Sequence, residues 1–289
     1  MSFISKIFGQ KNKGAVLAIH KNYIEAAQAD IINKNCRIQG FNKAEIVSCD
    51  EHFRQDEAME IMRTLFTEAS PNPIATDRLI ISIPSKCVFP FLKIFPSHSN
   101  DEYIKSSLMQ FIQDEAPFNP DELIVDFEQI SAGQNKIFGA TAYPKEWHNK
   151  IINVIDDLGI KNADFIPEPL LLYPLTGLDK ESCAIFYFDS DILNISFFYK
   201  GILFDSFEVI SKTQEDIKSE FEREKENFKS VLGEDIDKIY SFDLPSGLNA
   251  DMQKALGKYY SYTISENPFD ELADKDSSIV LSGLIKRLF

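Results

Sequence analysis

The chain is 289 residues long, 44% hydrophobic and 26% charged, with a formal net charge of -15. This composition excludes a disordered chain, and the length is enough to bury one large core or two smaller ones. The negative charge repels nucleic-acid phosphate and argues against nonspecific binding of DNA or RNA.

Residues 1–13 place Phe3, Ile4, Ile7 and Phe8 on one side of a helical turn, beside Lys6, Lys11 and Lys13. This is a basic amphipathic tail, read either as a frayed terminus or as a weak contact with an anionic membrane surface. The first apolar patch is too short for a signal peptide, and no run approaches the roughly 20 apolar residues of a spanning helix. Cys36, Cys49, Cys87 and Cys183 are scattered, as are His20, His52, His98 and His148. Neither a metal site nor a disulfide framework is expected, and free thiols in a reducing compartment fit the spacing.

From Gly14 three strands are expected in succession: Gly14 to His20, Tyr23 to Asp30 and Cys36 to Glu45. Ala58, Ile61, Met62, Leu65 and Phe66 then fall at helical spacing, and a buried-type strand runs from Leu79 to Ile83 before Pro84. The same order returns later. Strands are expected over Cys183 to Asp189, Ile192 to Tyr199 and Ile202 to Ile210, with Lys200-Gly201 as a two-residue turn. A helix follows with Ile217, Phe221, Phe228, Val231 and Leu232 on one face, stopped by Gly233, and then a strand from Lys238 to Phe242. The carboxylates of this helix read as a solvated face. Each half is three strands, a helix and a crossover strand, which is the duplicated plan of actin-like ATPases.

Between the halves lies an extra block. Ser99 to Glu102 reads as a capping box, opening a helix with Ile104, Leu108, Phe111 and Ile112 inward. Strands are expected over Glu122 to Ile130 and Lys136 to Ala142, then a helix from Pro144 with Trp147, Ile151, Ile155 and Leu158 as its stripe, closed by Gly159. The expected division is a tail over 1–13, a first half over 14–96 plus 166–180, an inserted subdomain over 97–165 packed beside that half, and a shortened second half over 181–289.

The stretch Phe111 to Phe127 resembles the PilM family of type IV pilus assembly proteins. It has a helix ending in Glu115-Ala116, a turn with Pro117 and Pro120, and acidic residues before a strand with Asp126. The family's Ile-Pro turn is shifted and shortened here. The opening residues 3–9, the helix ending Leu158-Gly159-Ile160, the segment Pro167-Glu168-Pro169-Leu170-Leu171 and the closing Leu281-Ser282-Gly283-Leu284 follow the family's order. The resemblance implies an α/β actin-like ATPase fold of two RNase H-like halves with an inserted helix-strand-strand-helix subdomain. It also implies a cytoplasmic relative of FtsA at the inner face of the membrane. Such a protein binds the cytoplasmic tail of a PilN-like inner-membrane protein and links pilus assembly or secretion components. The cytoplasmic domain of GspL is related, so a secretion adaptor is an alternative.

An actin-like ATPase holds phosphate with backbone N–H groups in one glycine-containing turn per half. The resemblance puts these turns at His20-Lys21-Asn22 and at Asp189-Ser190-Asp191. The first lacks both aspartate and glycine. Lys21 reads as a solvated turn lysine and His20 as a turn or partly buried imidazole. In the second turn Asp191 replaces glycine and sets a carboxylate where phosphate oxygens would sit. At about 4 Å and an effective dielectric near 20 the repulsion is about 4 kcal/mol per charge pair. The adenosine-side Gly-Gly is replaced by Asp243-Leu244-Pro245-Ser246-Gly247. The expectation is a degenerate site at His20, Lys21, Asp189 and Asp191, with no catalytic residue, no hydrolysis and no cofactor. Weak binding of ATP with magnesium as a switch is the alternative. The partner's tail is expected in the seam lined by Val88 to Pro96 and Phe165 to Leu170.

Overall fold

The computed structural model describes residues 13–32, 35–46, 55–116, 119–132, 135–189, 192–209, 213–242, 260–264 and 277–288, with Leu244, Lys254 and Leu256. The basic tail over 1–12, Cys49, His52, Asp191 and the Gly247 turn lie outside the described residues.

The centre of the first half is β1 (Lys13–Ile19). Its residues Ala15 to Ile19 have no exposed surface. It pairs antiparallel with β2 (Tyr23–Ile32), which pairs antiparallel with β3 (Asn35–Glu45). On its other side β1 pairs parallel with β5 (Arg78–Ile83), and β5 pairs parallel with β9 (Asn162–Pro167). The two-residue β4 (Ser70–Pro71) adds an edge beside β3. In the second half β10 (Cys183–Asp189) takes the place of β1. It is flanked by β11 (Ile192–Tyr199), β12 (Ile202–Val209), β13 (Ile239–Phe242) and β14 (Tyr260–Ile264), in the order β12-β11-β10-β13-β14. The first half repeats this order as β3-β2-β1-β5-β9. The duplication expected from the three-strand, helix and strand pattern is therefore present in the pairing itself.

Side-chain alternation along β1 divides the first half into two cores. Ala15, Leu17 and Ile19 face Met62 and Leu65 of α1 (Gln55–Thr67), together with Ile151 and Ile155 of α3 (Lys145–Asp157). Val16 and Ala18 face Leu281, Leu284 and Ile285 of α6 (Ile279–Leu288). Thus α6, far along the chain, packs on the first half's sheet. It crosses α4 (Glu168–Leu172) closely, since a Cβ on Gly283 would lie 2.6 Å from the Leu171 carbonyl oxygen.

The inserted unit differs from its expected limits. Its sheet has the order β6-β8-β7, built from β6 (Phe89–Pro96), β7 (Leu123–Ala132) and β8 (Asn135–Pro144). The segment read as a connector over Val88 to Pro96 is therefore mostly strand, and a boundary at 97 falls after it. Apolar residues alternating with Pro90 and Pro96 hide the strand pattern, because proline is tolerated only at edges and strand ends. β6 is such an edge. At the far end α3 packs into the first-half core, and β9 is the fifth strand of that half, so the boundary at 165 cuts through a strand. The packing also differs. Leu92 and Ile137 of the inserted sheet join the core of the second half with Ile195 and Phe197. The other face, with Phe91, Ala140 and Ala142, covers Ile112 of α2 (Asp101–Glu115).

Several local stops match expectation. Gly233 caps α5 (Gln214–Leu232) at φ 69°, and Lys200-Gly201 turns with φ 51° and 89°. Two expectations fail. Asn100, not Ser99, caps α2, accepting from the Tyr103 N–H at 2.7 Å. Val231 of α5 is 44% exposed rather than inward, whereas Leu232 beside it packs against the second-half core.

Candidate functional site

The matching ends of β1 and β10 meet in the cleft between the halves. β1 stops at Ile19 and β2 starts at Tyr23, so residues 20–22 form a tight turn, closed by the His20 N–H donating to the Tyr23 carbonyl at 3.0 Å. The turn folds the His20 ring inward to 1% exposure, whereas Lys21 is exposed. His20 Nδ1 lies 3.0 Å from Asp189 Oδ2, at the end of β10. The Tyr23 hydroxyl donates to Asp189 Oδ1 at 2.8 Å, and its ring stacks on His20 with centroids 4.1 Å apart. The two turns are thus joined by side chains.

Behind this bridge lies a second layer. His20 Nε2 is 3.2 Å from Glu25 Oε1 on β2 and 3.1 Å from Ser278 Oγ. Ser278 stands just before α6, where its Oγ accepts from the Leu281 N–H at 3.2 Å as a helix cap. Its own N–H donates to Glu25 at 3.0 Å, so the Glu25 carboxylate sits where a helix start favours an anion. Glu168, at the start of α4, accepts at Oε2 from the Ser85 N–H at 2.9 Å and the Ser85 hydroxyl at 3.0 Å. Ser85 Oγ is in turn 2.7 Å from the Tyr187 hydroxyl. Glu168 Oε1 is buried without a hydrogen-bond partner among the described residues and lies 3.9 Å from His20 Nδ1.

The charges follow from this geometry. Burial by itself would lower the basicity of His20, but its bonds to Asp189 and Glu25 and their charges outweigh burial and push its pKa up to about 10. The ring is then an imidazolium at neutral pH, donating from both nitrogens. Burial pushes the Glu168 carboxyl up to about 7, with the Asp189 charge adding to it and the His20 charge opposing it. Burial, then the Asp189 and Glu25 charges, raise the Tyr23 phenol far above its ordinary value.

Of the predicted site residues, His20 and Asp189 come together; Lys21 makes none of these contacts. His20 lies in the turn, as one of the two expectations had it, but is fully rather than partly buried, because the Tyr23 ring and Ser278 cover it. Glu25, Glu168 and Ser278 were missed. The available signal was a carboxylate inside each of two apolar segments, Ile24-Glu25-Ala26-Ala27 and Pro167-Glu168-Pro169-Leu170. An ionised group is rarely buried without a partner.

A second feature is a groove of about 400 Å³ between β6 and β12. Val88, Phe89 and Phe91 line it from the inserted side, facing Asp205 and Glu208 of β12, with Glu115 from α2. Lys86 is the basic residue along it. It includes part of the expected Val88 to Pro96 seam, but its opposite wall belongs to the second half, not to Phe165 to Leu170.

No protein-family model and no curated protein matches the chain by sequence. Solved structures do match its shape. A chain of the PilM-PilN type IV pilus biogenesis complex superposes with a TM-score of 0.69 at 12% identity, over 95% of this chain and 98% of that one. A Bacteroides thetaiotaomicron protein with an actin-like ATPase fold gives a TM-score of 0.54 at 13% identity, covering 99% of each chain. This chain has the actin-like ATPase fold. The cytoplasmic domain of EpsL, an inner-membrane component of the Vibrio cholerae type II secretion system, shares it with a TM-score of 0.54 at 10% identity, over 95% of this chain and 94% of that one. Among the described residues of this actin-like chain, no helix is long and apolar enough to cross a membrane.

Proposed function

We propose that this protein is a non-catalytic scaffold of a type IV pilus or related secretion machine. It works at the inner face of the cytoplasmic membrane and binds the cytoplasmic tail of a PilN-like inner-membrane protein. The observation that carries this reading is the His20–Asp189 bridge, 3.0 Å long, between the two turns that hold phosphate in an actin-like ATPase. A phosphate would have to part this buried pair, and breaking such a pair costs about 3–5 kcal/mol. It would also enter a cluster holding Glu25, Glu168 and Asp189, each repelling it. A cleft tied in this way keeps the halves in one arrangement, which suits a scaffold rather than a nucleotide-driven switch.

The groove between β6 and β12 is the partner site in this reading. Its apolar wall takes the nonpolar side chains of an extended tail, and Glu115, Asp205 and Glu208 favour Lys or Arg in it. Such a tail, preceding a membrane span on the cytoplasmic side, is commonly basic.

Two measurements test the proposal. Calorimetry with ATP and magnesium should show no binding, and a micromolar dissociation constant, about −8 kcal/mol, would overturn the non-catalytic reading. Charge reversal at Glu115 and Glu208 should abolish co-purification of the inner-membrane partner, whereas reversal at Glu220 and Glu222 on α5 should not. The opposite pattern in folded variants would refute the groove.

A further inference from the structure

We infer that the cleft cluster is a divalent-cation site of the zinc class, formed by His20 Nδ1, Asp189 Oδ2 and Glu168 Oε1, which ties the two halves together without nucleotide. The inference is tested separately from the scaffold reading: a bound ion would still tie the two turns, but through the metal in place of the direct His20–Asp189 bond, and calorimetry with ATP decides the scaffold reading in either case.

Three observations point to the ion. The first is convergence. One ligand atom from each of the three residues lies within 4.8 Å of the others, and His20 Nδ1 is 3.0 Å from Asp189 Oδ2 and 3.9 Å from Glu168 Oε1. Zinc holds nitrogen and oxygen ligands at about 2.0–2.2 Å in a tetrahedron, which separates them by about 3.4 Å. The first pair must open slightly and the second must close slightly. The second observation is the unpartnered oxygen. Glu168 is 4% exposed, and its Oε1 has no hydrogen-bond donor among the described residues. A buried carboxylate oxygen without a donor is costly, and each such atom calls for an explanation. One proton on His20 Nδ1 serves Asp189 and leaves this oxygen unserved, whereas a cation at the centroid would serve both.

The third observation is how the ligands are held from behind. Ligands of a metal site are oriented by hydrogen bonds to their other atoms. Here His20 Nε2 is backed by Glu25 Oε1 at 3.2 Å, Asp189 Oδ1 by the Tyr23 hydroxyl at 2.8 Å, and Glu168 Oε2 by the Ser85 N–H at 2.9 Å. Two of the backing groups, Tyr23 and Glu25, come from β2, and the third, Ser85, comes from the turn after β5. An imidazole with two carboxylates suits zinc or a similar transition ion over magnesium or calcium, which prefer all-oxygen sets. Two carboxylates balance the ion's charge, and water takes the fourth position. Spacing rules could not show this site, because the ligands come from the ends of β1, β9 and β10.

The test uses the full chain, stripped with chelator and dialysed. Zinc, manganese and magnesium chlorides are titrated separately by calorimetry, and cobalt(II) by absorbance. The expected result is one zinc per chain, bound at least about 100-fold more tightly than magnesium, with a cobalt spectrum lacking thiolate charge-transfer bands. Glu168→Gln, close in shape to the native residue, should weaken zinc by at least about 10-fold, and Ser85→Ala, which removes the hydroxyl bond behind Glu168 Oε2 but keeps the N–H bond, by a smaller factor. Circular dichroism of each variant monitors the fold. Thiolate bands, zinc affinity unchanged in folded Glu168→Gln, or equal binding of magnesium would each overturn the inference.

Discussion

Gly283→Ala tests the packing that carries α6 across to the first half. The new Cβ would lie 2.6 Å from the Leu171 carbonyl oxygen, 2.9 Å from Leu171 Cβ and 3.1 Å from its carbonyl carbon. A carbon and an oxygen are comfortable at about 3.3 Å or more, so α6 must retreat by about 0.7 Å. A gap of that size forfeits about a quarter to a half of each facing dispersion contact. The helix buries Leu281, Leu284, Ile285 and Leu288, each worth about 1.5–3 kcal/mol of burial, so part of several contacts is lost. Alanine's helix propensity returns about 1 kcal/mol. The expected net loss is about 2 kcal/mol, within the range for overpacked cores. Urea denaturation followed by circular dichroism should show a lower midpoint at unchanged slope, and melting should fall by about 4–8 °C. Leu171→Ala should not rescue it, because the nearest clashing atom is backbone. A variant as stable as the parent would refute the close crossing of α4 and α6.

Two further outcomes follow from buried charge. His20→Ala, studied with chelator present, leaves Glu25, Glu168 and Asp189 without their imidazolium and should cost about 3–5 kcal/mol in urea denaturation. A loss under about 1 kcal/mol would show that the bridge does not hold the halves. Burial, and then the charge of Glu224, push the Asp205 carboxyl from 3.8 up to about 6. The folded chain thus keeps a proton that the unfolded chain has released between those values, and this residue's contribution to stability falls as pH rises through that window. Asp205→Asn should remove that slope from the midpoint-against-pH curve between pH 4 and 6, and an unchanged slope would contradict the raised Asp205 carboxyl.

Much of the architecture was legible because helix and strand periods are carried by neighbouring residues. The meander from Gly14 to Glu45, its repeat from Cys183, the stripe Ile217-Phe221-Phe228, the stop at Gly233 and the turn at Lys200-Gly201 each need only a short window of chain. The expected departures from the family's phosphate turns, a missing aspartate and glycine around His20 and Asp191 in place of a glycine, were read from equally short stretches. Asp205 and Glu224 escaped notice, as the α5 carboxylates read as one solvated face, yet Glu224 is 7% exposed. What the tertiary structure decided was partnership across distance. β6 became a strand because β8 pairs with it from Asn135 to Ala142. α6 packs on the first half because the even-numbered residues of β1 present an apolar face, which it covers together with Leu171 and Leu172 of α4. His20, Glu25, Glu168, Asp189 and Ser278 are spread over most of the chain. Each is an ordinary polar residue in its own segment. Only the docking of two sheets and two helix starts brings them within hydrogen-bond reach, where exclusion of water turns separate side chains into one charged cluster.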